Sequence, residues 1–333
     1  MSDHTPQFSS TTDLYSPMEI FVVHPPRQRT WVYVVFFLLT ALTTLVMGAR
    51  MAYNFQHDQA AFSEGPLSFF PFGWALRHAS HLWLGVPFAT TLMLILFAHE
   101  MGHYLYCRHY GVQATLPLFI PFPSLIGTMG AFIRIKSPIR SRSALFDIGI
   151  AGPIAGFVLA CAVLFVGLGM SKPLPAPALA GVEIGYPLIF RGMNHLIHGS
   201  AARPIQLLNL HPVAMAAWVG MFATALNLLP GGQLDGGHII FSITPSRHRA
   251  ISITTMLALI PLALYGWLGW LLWAAVVGIT GLRHPLVPPE PGLSPRRRWV
   301  ALIGLAMLVL TFSPTPLQHN SLVEVVRQLR SGQ

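Results

Sequence analysis

The sequence predicts an all-α polytopic membrane protein with six or seven transmembrane helices, a three-helix core and a short membrane-associated β segment. Three observations carry this. Of 333 residues, 53% are hydrophobic and 9% charged, against about 25% charged in soluble domains. Apolar runs recur near the ~20-residue length that a bilayer crossing needs. The basic residues behind the net charge of +9 lie mostly between those runs. No aromatic-basic strand or groove motif accompanies that charge, so it argues for a lipid bilayer as partner and against nucleic acid.

Residues 1–30 read as a cytoplasmic tail. They contain Asp3, Asp13 and Glu19 and no basic, apolar-cored segment, which argues against a cleavable secretory signal or transit peptide. The first apolar run, 31–48, then serves as the insertion signal, with an external loop to residue 80. Further runs cover 81–106, 145–170, 212–229, 250–282 and, more briefly, 299–312. The run from Ala250 is long enough for two crossings joined around Tyr265 and Gly266, which would make seven. The expected division is a core at 81–246, additional helices at 247–313 and a C-terminal tail at 314–333.

Orientation follows from the basic loops. Arg27 and Arg29 precede the first span, and Arg108, Arg134, Lys136, Arg140 and Arg142 follow the second. Arg247 and Arg249 follow the fourth, while Arg283 and Arg296 to Arg298 precede the last. Taken as cytoplasmic, these give an alternating path with 55–80 and 172–209 outside. Arg50, Arg77, Arg191 and Arg203 run against the rule.

Between the second and third spans, Ala131 to Lys136 alternates in character, as a strand lying at an interface does. The stretch 116–124 is interrupted by Pro117, Pro121 and Pro123, so any strand there is an edge or a loop. Gly152 and Gly156, four apart in the third span, form a small face for close helix approach. His195, His198 and His211 lack ligand-spaced carboxylates and read as loop or interface histidines.

Chemistry concentrates in the second span, at His99-Glu100-Met101-Gly102-His103. Residues four apart share a helix face, so the two imidazoles can meet one ion while Glu100 stands one position round, placed as a base and not a ligand. This is the H-E-x-x-H arrangement of zinc metalloproteases. A zinc with few protein ligands keeps a water and lowers its pKa, and the neighbouring carboxylate can carry the proton to a leaving amine.

Only Glu100, Asp147 and Asp235 among eleven acidic residues fall in or beside spans, where a central charge costs on the order of 2.5–3.5 kcal/mol. Each needs a reason. Asp235 follows a helix interrupted by Pro230, Gly231 and Gly232, and such irregular backbone at membrane depth must be satisfied by protein or a water-filled cavity. It is the favoured third ligand. His238, in the same run, and Cys107, four residues beyond His103, are its rivals. Asp147 reads as a helix-start or hydrogen-bonding residue. The cysteines Cys107 and Cys161 are too few for a disulfide framework.

These residues together resemble the site-2 proteases, intramembrane zinc metalloproteases. Beside His99-Glu100-x-x-His103 stand Asn227-x-x-Pro230, Leu234-Asp235-Gly236, Gly127 to Phe132 and Phe146 to Gly156, matching the branch of plastid and bacterial members without an inserted soluble domain. The resemblance runs from about 98 to 238. It implies zinc bound by His99, His103 and Asp235, water activated by Glu100, and substrate held by Asn227. The implied partner is a transmembrane protein substrate, and the expected location is a bacterial inner membrane. The roughly forty residues between the third and fourth spans are too few for a PDZ domain. An exposed strand edge would accept an unwound substrate by β-augmentation.

The rival enzyme class takes a downstream glutamate as third ligand, here Glu183, Glu290 or Glu324, all in expected loops or the tail. The non-enzymatic alternative is an inactive relative or a histidine-lined transporter.

Overall fold

A computed structural model describes residues 29–62, 71–174, 183–281, 287–288 and 292–331. The N-terminal tail with Asp3, Asp13, Glu19 and Arg27, and likewise Arg283 and Glu290, lie outside the described residues.

Helix α1, Thr30–Gln56, has 27 residues, a rise of ~40 Å that exceeds the hydrocarbon thickness. Its apolar outer face leaves Leu38 and Leu42 exposed, while Val46, Met47, Ala49 and Met51 are buried. The threonines on its inner side do not strand a hydroxyl, because Thr40 donates to the Phe36 carbonyl and Thr44 to that of Thr40. The short α2, Phe72–Arg77, and a 3₁₀ turn, Ala79–Gly85, lead into α3, Val86–His109. α1 and α3 come close where Gly85 faces Leu45: a Cβ on Gly85 would stand 2.0 Å from the Leu45 carbonyl oxygen.

Strands β1, Leu118–Pro121, and β2, Thr128–Phe132, form an antiparallel hairpin with Leu118 opposite Phe132 and Ile120 opposite Gly130. Pairing resumes at Ala114 and Ile135. The expected strand at 131–136 therefore begins three residues earlier and ends at Phe132, leaving only the isolated Ile135 bridge beyond it, and the proline-rich stretch supplies its partner. Pro121 sits where the register shifts, a position that tolerates a missing N–H.

Helix α4, Arg142–Gly169, is capped by Ser141, whose hydroxyl accepts from the Ala144 amide. Strand β3, Lys172–Pro173, helix α5, Leu188–His198, and strand β4, Leu208–Asn209, follow. α6, Pro212–Asn227, is separated by a loop from α7, Asp235–Ile243. Then come α8, His248–Tyr265, α9, Trp270–Gly281, α10, Pro295–Thr311, and α11, Leu322–Ser331.

The three-helix core is present: Leu92, Ile95 and Leu96 of α3, Ala160 and Leu164 of α4, and Met215, Trp218 and Met221 of α6 share one buried cluster. Among the described residues, four segments, not the expected six or seven, are long and apolar enough to cross a membrane, namely Thr30–Gln56, Ala79–His109, Arg142–Gly169 and Pro245–Tyr265. The expected spans at 212–229 and 299–312 are the shorter helices α6 and α10, of 16 and 17 residues. The long run from Ala250 does break at Gly266, where a Cβ would meet the Leu262 and Pro314 carbonyls at 2.7 and 2.8 Å. Its second half, α9, has only 12 residues, a rise of ~18 Å that falls short of the hydrocarbon thickness.

Candidate metal centre

His99 and His103 lie one turn apart on α3, both buried, with ring centroids 4.9 Å apart. Asp235, the first residue of α7, comes to both. Its Oδ2 is 3.2 Å from His99 Nε2 and 3.3 Å from His103 Nε2. Among the described residues, His99, His103 and Asp235 form the one such group, their ligand atoms all within 4.8 Å of one another. Two imidazoles and a carboxylate are the donors of an open, catalytic-type zinc site.

The surrounding chain is built around those rings. His103 Nδ1 donates to the Ile148 carbonyl at 2.7 Å, a bond that directs Nε2 towards Asp235. A Cβ on Gly152 would stand 2.1 Å from His103 Nε2, and one on Gly156 3.1 Å from His99 Nδ1. The small face of α4 thus approaches α3, as expected, but what it admits is the pair of imidazoles. Gly102 adds a backbone contact, its Cβ position lying 2.5 Å from the Ala151 carbonyl oxygen.

Asp235 reaches this place because α6 stops at Asn227 and the chain turns through Gly232 at φ +63°. The backbone groups freed by that break are taken up by α8 and α9. His248 Nε2 donates to the Gly232 carbonyl at 3.1 Å, and Ser252 Oγ accepts from the Gly232 amide at 3.1 Å. Thr255 donates to the Pro230 carbonyl at 2.9 Å, and Thr280 accepts from the Gln233 amide at 3.2 Å. Protein side chains therefore satisfy the irregular backbone. Gly236 and Gly237 let α7 begin against this loop, since their Cβ positions lie 2.2 Å from the Leu228 and 2.3 Å from the Gly232 carbonyl oxygens. At the other end of α7, Arg142 donates to the carbonyls of Ser242 and Ile243.

Glu100 is buried beside the group, and the Ile133 backbone just past β2 lies next to its carboxylate. Asn227 Nδ2 lies 3.2 Å from His99 Nε2. Both stand next to the three convergent groups without joining them. The rivals fall elsewhere. Cys107 is fully buried in a cluster with Val112 and Ile148, and neither it nor His238 belongs to the convergent set. Glu183 and Glu324 both face His319, at 3.9 and 3.6 Å. Asp147 is a hydrogen-bond partner, held by Arg297 and Tyr110. His211 caps α6 by accepting from the Val213 amide. His248, Ser252, Thr255 and Thr280 were not anticipated, although hydroxyl side chains such as Ser252, Thr255 and Thr280 in an otherwise apolar run were a signal that something there needed hydrogen bonds.

The chain matches the model of Peptidase family M50 over residues 87–266. It belongs to that family. The M50 match runs past the expected limit near 238 and takes in α8, the helix that holds the Asp235 loop. Over 160 residues the chain is 32% identical to the probable zinc metalloprotease EGY2, chloroplastic, of Arabidopsis thaliana, covering 48% of this chain and 29% of that protein. It is 35% identical over 162 residues to the probable zinc metalloprotease EGY1, chloroplastic, of the same plant, covering 46% and 29%. A third relative, the putative zinc metalloprotease sll0528 of Synechocystis sp., is 24% identical over 208 residues, covering 61% and 42%. The chain thus spans less than a third of the length of the plant relatives it matches. No solved structure matches it.

Proposed function

We propose that this M50 chain is an intramembrane zinc metalloprotease that hydrolyses a peptide bond within or next to a transmembrane segment of another membrane protein. The observation that carries the reading is the convergence of His99, His103 and Asp235, 136 residues apart at the widest, beside a buried Glu100. Zinc would be held by His99 Nε2, His103 Nε2 and the Asp235 carboxylate. When bound, it supplies Lewis acidity towards the scissile carbonyl and lowers the pKa of water towards neutrality.

The remaining steps belong to the chain. Glu100, one position round the helix, takes the proton from the attacking water and returns it to the leaving amide nitrogen. Asn227 offers its side-chain amide to the substrate backbone. A helical substrate must first unwind, because its carbonyls are engaged in its own hydrogen bonds. The β1–β2 hairpin supports an extended segment by β-augmentation, and the Ile133 contact brings that hairpin to Glu100. Exposed Met129 and Phe132 on β2 offer apolar contacts for the substrate's side chains.

The 81–246 core would carry the reaction, with 247–313 bracing it. A bacterial cell membrane is the proposed location, supported by the Synechocystis sp. relative, whose match covers the largest share of this chain among the three described. Glu100→Gln in the reconstituted full chain tests the assignment. The variant is expected to lose cleavage of a transmembrane substrate while keeping about one zinc per chain. Retained cleavage by the variant would overturn the role of Glu100.

A further inference from the structure

Arg297 stands in α10, beyond the stretch that matches the family, and makes an ion-pair network with two elements of the core. Its Nε donates to Asp147 Oδ1 at 2.9 Å and its Nη2 to Asp147 Oδ2 at 2.7 Å, a fork-to-carboxylate geometry. Nη2 also reaches the Tyr110 hydroxyl at 3.2 Å, and that hydroxyl donates to Asp147 Oδ2. The Asp147 side chain is 17% exposed and that of Arg297 28%, so the pair is largely withdrawn from solvent.

The positions of its partners give this network its meaning. Tyr110 terminates α3, two helical turns beyond His103. Asp147 immediately precedes Ile148, whose carbonyl accepts the His103 Nδ1 proton. Arg297 therefore joins the end of the histidine helix to the turn of α4 that orients His103. α10 is also pressed against α4 further along, where a Cβ on Gly304 would lie 2.8 Å from Ile150 Cδ1. Met307 shares a buried cluster with Phe146, Ile150, Leu228 and Ile239, so the same helix touches the flanks of the Asp235 loop.

We infer that Arg297 is a positioning residue for the metal centre, acting through Asp147 to hold the Ile148 carbonyl in register with His103. The inference rests on the proposed zinc site. Loss of the guanidinium leaves the Asp147 carboxylate without its fork and frees this turn of α4 to shift relative to α3. An ammonium supplies charge without the fork, so lysine is an incomplete substitute.

The test uses the full-length chain in detergent micelles or bilayers, with zinc affinity read by chelator competition and ligand geometry by the visible absorption of the cobalt(II)-loaded protein. Arg297→Gln is expected to weaken zinc about tenfold, the low end for loss of an outer hydrogen-bond partner, and to alter the cobalt spectrum. kcat should fall with KM little changed. Arg297→Lys and Tyr110→Phe should weaken zinc measurably but less than Arg297→Gln does, because each keeps part of the network. A double variant, Asp147→Leu with Arg297→Met, removes the unpaired charge and should recover thermal stability, yet it should keep the weakened zinc binding and altered spectrum because nothing pins the turn. If the wild-type chain fails to bind stoichiometric zinc, the proposed function falls and this inference with it. If wild type binds zinc and all these variants keep its affinity and spectrum, with only melting temperature changed, Arg297 is a structural brace and this inference alone is overturned. Where Arg297→Gln does not fold, Arg297→Lys and Tyr110→Phe decide by the same two readouts.

Discussion

The three convergent groups differ in how openly the sequence announces them. His99 and His103 are four apart, so helix periodicity alone puts them on one face; Asp235 is 136 residues from His99, and it was marked out by the cost of a carboxylate beside a broken span together with the Leu234-Asp235-Gly236 resemblance. Its choice over Cys107 and His238 has a sharp consequence. Asp235→Asn keeps the size and removes the charge, so it should lose zinc or bind it far more weakly and abolish cleavage. Cys107→Ser and His238→Gln should retain stoichiometric zinc. Metal analysis of the three purified variants decides, and full zinc in Asp235→Asn would mean the ligand is another residue. Gly152 was legible only in part: spacing gave a small helix face, but what the face meets depends on the partner helix. Because a Cβ there would overlap the His103 ring, Gly152→Ala is expected to lose stoichiometric zinc. Gly169, whose Cβ would meet nothing within 4 Å, is the control: Gly169→Ala should bind zinc as wild type does.

At the scale of elements, what sequence patterning conveys is length and polarity, and the metal centre needs contacts between elements. The break after Asn227 was readable from Pro230 and the glycines. Its remedy was not, because the side chains that satisfy the loop come from α8 and α9, as far as 47 residues downstream. Similarly, the alternation at Ala131 to Lys136 revealed a strand but not its true start at Thr128, which depends on pairing with β1. The loop contacts lead to a prediction. Ser252→Ala with Thr255→Val removes the partners of the Gly232 amide and the Pro230 carbonyl, and each buried group left unsatisfied costs about 1–3 kcal/mol. The loop should relax by moving, carrying Asp235 with it, so zinc affinity measured by chelator competition should fall about tenfold or more. Unchanged affinity would show that α6 and α7 alone hold the loop.

For the whole molecule, the alternating path inferred from basic loops has a physical counterpart in the way the chain ends gather. Arg142 of α4 donates to the end of α7, and Arg297 of α10 pairs with Asp147, so basic segments from three loops meet at one end of the bundle. At the opposite end, Lys172 pairs with Asp58 at 2.5 Å and Asn209 donates to the Gln59 carbonyl at 3.2 Å, joining the two stretches expected outside. The metal centre lies nearer the basic end, since His103 bonds to Ile148, one residue from Asp147. If that end is cytoplasmic, a cysteine at Ser246, exposed in the turn before α8, should be shielded from an impermeant thiol reagent in intact cells. One at Ser200, exposed after α5, should react. Cys107 and Cys161 must first be replaced. Cys107 is buried within the fold, so its serine variant is tolerable only if the background still binds zinc, which the metal analysis above checks first. Labelling at Ser246 and protection at Ser200 would invert the protein in its membrane and put Glu100 near the outer face, where a substrate would have to present its scissile bond from the other side.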